Sequence, residues 1–177
     1  SRGYEVHGLV RRTSTVSTGR IAHIQDRLTL HEGDLSDPSG FEQMLREIQP
    51  DEIYNLAAMS QVRTSFDVPL YTLEVGAVAV AAMLEAYRKA CPEARFYQAG
   101  SSEMFGRTPA PQNEDSPMRP SSPYGVAKLA AHELCAVYRA AYDLPIVRGI
   151  LFNHESPRRG LDFLSRKVCR AVAEIKA

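Results

Sequence analysis

Arg95-Phe-Tyr-Gln-Ala-Gly-Ser-Ser-Glu103 decides how this chain is read. An aromatic, strand-type run ends abruptly in small hydroxyl residues and a carboxylate. The loop that follows carries Pro109, Pro111, Pro117, Pro120 and Pro123, which makes it an excursion rather than an element. Tyr124-Gly-Val-Ala-Lys128 then opens a helix expected to run to Tyr142. Tyr124 and Lys128 are four residues apart, so they share one helix face, one turn from each other. Such a spacing is common on helix surfaces; its position just after a strand that ends in Ser101, Ser102 and Glu103 makes it informative.

The same alternation extends in both directions. Upstream, Glu52-Ile-Tyr-Asn-Leu-Ala57 reads as a strand running into Ala58-Met-Ser60. A long helix is expected from Leu70 to Lys89, with Leu73, Ala77, Ala81 and Leu84 on one face. Nearer the start, Glu5 to Val10 and Arg27 to Glu32 are strand candidates. Ser36-Asp37-Pro38 starts a helix whose Phe41, Met44, Leu45 and Ile48 recur at helical spacing until Pro50 stops it. Downstream, Pro145 to Phe152 is a fifth strand, Asn153 to Gly160 a polar loop, and a last helix begins near Asp162. Strands alternating with helices predict an α/β doubly wound parallel sheet, Rossmann-like and covered on both faces. Ligands of such folds sit outside the carboxyl ends of the strands. Asp34, Ala58 to Ser60, Ser101 to Glu103 and Asn153 to Arg159 all fall at that edge.

Composition narrows the function classes. With 177 residues and 44% hydrophobic content, one compact domain with a sizeable core is expected. Lys plus Arg and Asp plus Glu are both 21, so nothing chain-wide favours nucleic acid or a membrane surface. Cys91, Cys135 and Cys169 are far apart and read as free thiols of a reducing, cytoplasmic compartment, with no metal site expected. The apolar run from Val75 to Leu84 is too short, as a run, to span a bilayer. The chain opens Ser1-Arg-Gly-Tyr-Glu and stops at Glu174-Ile-Lys-Ala177, inside an expected helix, so both ends read as cut.

Several groups carry chemistry. An ammonium one turn from a phenol lowers the phenol's pKa, and a phenol tuned that way exchanges a proton with an alcohol. Glu103 near Tyr124 is a second acid/base of different pKa, and two such groups permit two proton transfers in one cleft. Arg11, Arg12, Thr13 and Ser14 follow the Glu5 to Val10 strand, read as the second strand of a dinucleotide-binding fold, where an arginine accommodates a 2′-phosphate, which points to NADP. No glycine-rich phosphate loop occurs in these residues; on this reading it precedes Ser1, together with the first strand and most of the first helix. His154, Glu155 and Arg159 are placed to order the nicotinamide side or a partner subunit. His7, His23, His31 and His132 follow no ligand spacing and read as structural.

These residues resemble the extended short-chain dehydrogenase/reductases. The likeness rests on Tyr124 with Lys128, on Asn55-Leu-Ala-Ala58, and on Ser101-Ser-Glu103. Within that group the chain resembles the GDP-mannose 4,6-dehydratase family. The narrower likeness is carried by Val10-Arg-Arg-Thr-Ser14 with Thr18-Gly-Arg-Ile21, by Phe96-Tyr-Gln-Ala99, and most specifically by Ile150-Leu-Phe-Asn-His-Glu-Ser-Pro-Arg-Arg-Gly160. It departs at Ser101, where threonine is usual, and at Gly100, where serine is frequent and glycine implies a looser turn.

The resemblance implies an NADP-dependent lyase acting on GDP-mannose. Tyr124, helped by Lys128, takes the 4-hydroxyl proton as C4 is oxidised; Glu103 removes the C5 proton and protonates the departing 6-hydroxyl; C6 is then reduced. Ser101 and Asn153 join Glu103 and Tyr124 at the substrate. Implied cofactor contacts are Arg11 to Ser14 at the 2′-phosphate, Asp34 and Leu35 at the adenine, and Leu56, Ala57, Ala58, Met59, Ser60 and Tyr71 along the ribose and pyrophosphate. Tyr124, Lys128, His154 and Arg159 complete the cofactor set. A homotetramer or homodimer is implied, and these residues alone are expected to be inactive. The alternatives are a related nucleotide-sugar 4-epimerase or 4-keto reductase, which has no need of Glu103, and a catalytically silent Rossmann-like binding protein.

Overall fold

The computed structural model describes residues 3–11, 18–35, 37–161 and 163–176. Among the described residues, five parallel strands lie in two sheets. β1 (His7–Val10) pairs with β2 (Thr29–Glu32), and β3 (Glu52–Asn55), β4 (Arg95–Ala99) and β5 (Ile146–Gly149) form the second sheet in that order. α1 (Pro38–Ile48) joins β2 to β3, and α5 (Pro123–Tyr142) joins β4 to β5. Between β3 and β4 come α2 (Val62–Asp67), α3 (Pro69–Leu73) and α4 (Ala79–Ala90). α6 (Leu164–Lys176) ends the described chain.

Local signals account for the helix ends. The Asp37 carboxylate accepts from the backbone N–H groups of Ser39 and Gly40, with Pro38 in the first turn, so α1 starts where expected. α1 ends at Gln49 and α5 at Asp143, both in the left-handed conformation that stops a helix. The long helix expected from Leu70 is instead segmented. Pro69 opens it after a non-helical Val68, and a π turn over Glu74–Val78 separates α3 from α4. Gly76 lies in that turn, where a Cβ would stand 2.9 Å from the Ala127 methyl carbon, so the two helices meet almost backbone to backbone. Taken together, Pro69–Ala90 is 22 residues long and contains an 18-residue window of mean hydropathy 1.3, so by length and composition it is long and apolar enough to cross a membrane. Its Val80, Met83, Leu84 and Tyr87 are buried in the protein core instead.

That core joins Phe41 and Leu45 of α1, the buried side of α4, Ala131 and Cys135 of α5, and Phe96 and Ile146 of the sheet. α1, α4 and α5 therefore share one face of the three-stranded sheet. The opposite face carries Tyr54 and Val147, which are 62% and 55% exposed. The doubly wound parallel α/β class is as expected; side chains alternate along a strand, so Phe96 and Tyr97 point to opposite faces, and among the described residues α1, α4 and α5 pack on that of Phe96. Cys91 and Cys135 are buried thiols and Cys169 is exposed. His7 and His31 stack across β1 and β2 with ring nitrogens 2.8 Å apart.

Phe96 is 1% exposed and meets the Tyr87 ring at 5.2 Å between centroids. Phe96→Ala is expected to destabilise the fold by about 3–5 kcal/mol, read as a lower urea midpoint.

Candidate active site

Ser101 caps a single 3₁₀ turn, Ser102–Met104, at the end of β4, and its hydroxyl oxygen accepts from the Glu103 backbone N–H at 3.2 Å. That turn places Glu103 against the start of α5. There the Ser122 hydroxyl accepts from the Gly125 N–H at 3.0 Å, with Pro123 at the first helical position. Gly125 makes the approach possible: a Cβ on it would lie 2.6 Å from the Glu103 carbonyl oxygen. The glycine between Tyr124 and Lys128 is thus what lets the helix carrying both sit on the turn carrying Glu103.

The structure brings Ser101, Glu103 and Tyr124 together. Burial raises the Tyr124 pKa above its ordinary value; a side-chain hydrogen bond with Ser101 opposes the rise, and the Glu103 carboxylate adds to it. This corrects the expectation of a phenol acidified by Lys128. The lysine reaches past the ring: its Nζ lies 5.9 Å from the ring centroid and donates to the Ala99 carbonyl at 2.9 Å. Lys128 is only 4% exposed, and burial pulls its pKa down to about 8. One low-dielectric site therefore favours the neutral form of both groups.

The looser turn expected at Gly100 is also corrected. Its N–H donates to the Gly149 carbonyl at 2.8 Å, and the following Ser102 N–H donates to Leu151 at 2.9 Å. A Cβ at position 100 would run into the Gly149 carbonyl oxygen, so glycine here permits close strand contact.

Around this centre the expected cofactor residues divide. Arg11 Nη1 donates to the Tyr71 hydroxyl at 2.9 Å, uniting the end of β1 with α3. Arg12, Thr13 and Ser14 lie outside the described residues. Asp34 lines a cleft of about 410 Å³ with Leu9, Gly33, Phe41 and Met44, and Leu35 packs against the core. After β3, Leu56 is 67% exposed, and the Ala57 N–H is held by the Asn55 side chain at 3.2 Å; Ala58, Met59 and Ser60 continue that loop. Asn153 and His154 are exposed, with His154 Nδ1 at 2.8 Å from the Phe152 carbonyl. Arg159 stacks on Phe163 at 3.8 Å and lies 3.5 Å from Glu155, so it is bound within its own loop. Reading the sequence missed Asn55 and Gln98 as buried polar partners and Ser122 as a cap; amides inside strand runs and a serine before Pro123 were the available signals.

A profile described as GDP-mannose 4,6 dehydratase matches residues 1–177. GDP-mannose 4,6 dehydratase 1 of Arabidopsis thaliana is 50% identical over 187 residues, covering 99% of this chain and 52% of the relative. GDP-mannose 4,6 dehydratase of Homo sapiens is 47% identical, covering 98% and 50%. The chain thus spans about half the length of the curated relatives it matches. Among solved structures, the dTDP-glucose 4,6-dehydratase DesIV of Streptomyces venezuelae, with NAD and TYD bound, superposes with TM-score 0.86 at 22% identity over 96% of this chain and 53% of that one. UDP-glucuronic acid 4-epimerase of Bacillus cereus, in complex with UDP-glucuronic acid and NAD, gives 0.82 at 27% identity over 97% and 55%. RMD of Pseudomonas aeruginosa, complexed with NADPH, gives 0.78 at 23% over 97% and 62%. These neighbours carry the same Rossmann-type architecture.

Gly125→Ala is expected to cost about 1–3 kcal/mol, because the Glu103 backbone must move to admit the methyl group; urea unfolding measures it. A second expectation concerns pH. Folded Lys128 releases its proton near pH 8, whereas the unfolded side chain holds it to about 10.5. Between these values the unfolded state binds the extra proton, so Lys128 makes stability rise with pH across that window and is costliest below pH 8. Lys128→Met should flatten the rise, as urea midpoints measured at several pH values would reveal.

Proposed function

This chain belongs to the GDP-mannose 4,6-dehydratase family, and from that premise we propose that the protein is an NADP-dependent hydro-lyase converting GDP-mannose to GDP-4-keto-6-deoxy-mannose. The observation that carries the reading is the meeting of Ser101, Glu103 and Tyr124 beside a buried Lys128. A dehydrogenation alone needs the phenol and the lysine. A carboxyl group in the same site is what an elimination adds.

The carboxyl edge fits a nicotinamide dinucleotide. The Leu56–Ser60 loop is open at the end of β3, and Arg11 presents a guanidinium beside the Tyr71 hydroxyl at the end of β1. Leu56 to Ser60 and Tyr71 would hold the ribose and pyrophosphate, Asp34 and Leu35 the adenine, and His154 and Arg159 the far side. Arg11 favours NADP, since a guanidinium matches a 2′-phosphate. The chemistry a bound nicotinamide supplies is hydride acceptance from the sugar and hydride return to it.

The rest is the work of side chains. Tyr124 Oη accepts the proton of the 4-hydroxyl, and Ser101 hydrogen-bonds the same oxygen. A phenol raised by burial is a weak acid and needs a cation to hold it as phenolate; Lys128 would supply that charge from its place on the Ala99 carbonyl, 5.9 Å from the ring centroid. The new 4-keto group acidifies C5–H. Glu103 takes that proton and delivers it to the 6-hydroxyl, which leaves as water; when C6 is reduced, C5 takes up a proton in exchange for the one Tyr124 removed from the 4-hydroxyl, so both groups end as they began. Asn153 orients the sugar nucleotide. The active form is a homodimer or homotetramer in the cytoplasm.

Glu103→Gln keeps the shape of the side chain and removes the base. In the intact protein it should lower dehydration roughly 10²–10⁴-fold while reduction of the nicotinamide by GDP-mannose stays detectable by absorbance. Unchanged dehydration would overturn the role of Glu103 and favour the epimerase or reductase reading.

A further inference from the structure

Two buried amides lie behind the site. Asn55 on β3 and Gln98 on β4 face each other directly across the sheet register, and they are 3% and 1% exposed. Asn55 Nδ2 donates to Gln98 Oε1 at 2.8 Å, and Gln98 Nε2 donates to the Ala99 carbonyl at 3.3 Å. At its other end the chain of bonds begins with the Ala57 N–H, which donates to Asn55 Oδ1 at 3.2 Å. The terminal acceptor, the Ala99 oxygen, is also the acceptor of the Lys128 ammonium at 2.9 Å.

Each step has a physical consequence. A carbonyl oxygen has two acceptor sites, and here both are taken, one by the lysine and one by Gln98. Apolar side chains would fill two facing strand positions at lower desolvation cost, so a fully connected polar pair is retained for what it aligns. Its donors all run in one direction, from the loop after β3 to the oxygen that anchors Lys128. That loop, Leu56 to Ser60, is the one assigned to the cofactor above.

We propose that Gln98, oriented by Asn55, is a positioning residue for Lys128: it fixes the Ala99 carbonyl, competes with the ammonium for that oxygen, and ties the lysine to the loop after β3. The inference rests on the reading of Lys128 as part of the site. The amide hydrogen shares the oxygen with the ammonium and repels it, which works in the same direction as burial in favouring the neutral amine near pH 8. Removing the amide leaves the carbonyl wholly to the lysine, and the ammonium gains.

The test uses the intact protein labelled with isotopic lysine, with the Lys128 signal assigned by its loss in Lys128→Met and titrated by nuclear magnetic resonance. Gln98→Met keeps the shape of the side chain and removes the amide. It is expected to raise the Lys128 midpoint by at least about half a pH unit. In turnover the loss of the fixed Ala99 carbonyl, which misplaces the lysine even as it gains charge, should lower kcat about tenfold or more with KM for GDP-mannose little changed. Asn55→Leu should shift the midpoint in the same direction, and the double variant should shift it by less than the sum, because both act through one carbonyl. Loss of activity with the Lys128 midpoint unmoved would reduce the amides to a structural role and overturn the proposal, as would additive shifts. A moved midpoint in a protein that does not dehydrate GDP-mannose would leave the positioning intact and overturn the proposed function instead. If Gln98→Met does not fold, Gln98→Asn shortens the side chain by one methylene, keeps a buried amide and cannot reach both partners; the same midpoint shift is expected, and its absence overturns the proposal.

Discussion

The hydrogen bond from the Lys128 ammonium to the Ala99 carbonyl is the constraint on which the site depends. It ties the second turn of α5 to the last residue of β4, and so fixes how far the helix carrying Tyr124 stands from the turn carrying Ser101 and Glu103. The backbones must come close for the bond to form. Gly125 permits that on the Glu103 side and Gly76 on the α4 side, where any side chain would push α5 away. Two glycines and one buried lysine together set the spacing of Ser101, Glu103 and Tyr124.

The same bond explains the electrostatic state of the site. Lys128 and Tyr124 are both drawn into a low-dielectric interior, and burial acts on them in opposite directions, lowering the amine and raising the phenol. The ground state is therefore one in which charge is held back on both. In the proposed reaction a substrate hydroxyl that must lose its proton meets the Tyr124 phenol beside the Ser101 hydroxyl and the Glu103 carboxylate. Acid/base chemistry of this kind requires groups whose charge is free to change, and burial without full pairing supplies that freedom.

The periodicity of the chain made most of the architecture legible. Apolar runs ending in Asp34, Ala58, Ser101 and Asn153 marked the strand ends, and Phe41, Met44, Leu45 and Ile48 marked α1. Segmentation of the helix from Pro69 to Ala90 was not legible, because a π turn is stabilised by the contact of Gly76 with α5 and leaves no period of its own. The open face at Tyr54 and Val147 was hidden for a similar reason: alternation along a strand says which side chains share a face, and nothing about what lies upon it. Within the site, the residue types were readable and the direction of the Tyr124 shift was not. A Tyr-x-x-x-Lys spacing fixes the helix face but leaves the terminal atoms free, and the lysine reaches a carbonyl rather than the phenol.

By itself, the sequence determined the order of the elements, the edge at which polar groups gather, and the four side chains Ser101, Glu103, Tyr124 and Lys128 to which chemistry is assigned. These follow from spacing and residue type, which are local. Only the tertiary structure decided which carbonyl receives Lys128, that Gly125 admits the Glu103 turn, and that Gln98, bonded to Asn55 43 residues away along the chain, shares that carbonyl. Those are properties of distance and burial between separate strands and helices, and they exist only once the core around Phe96 has closed.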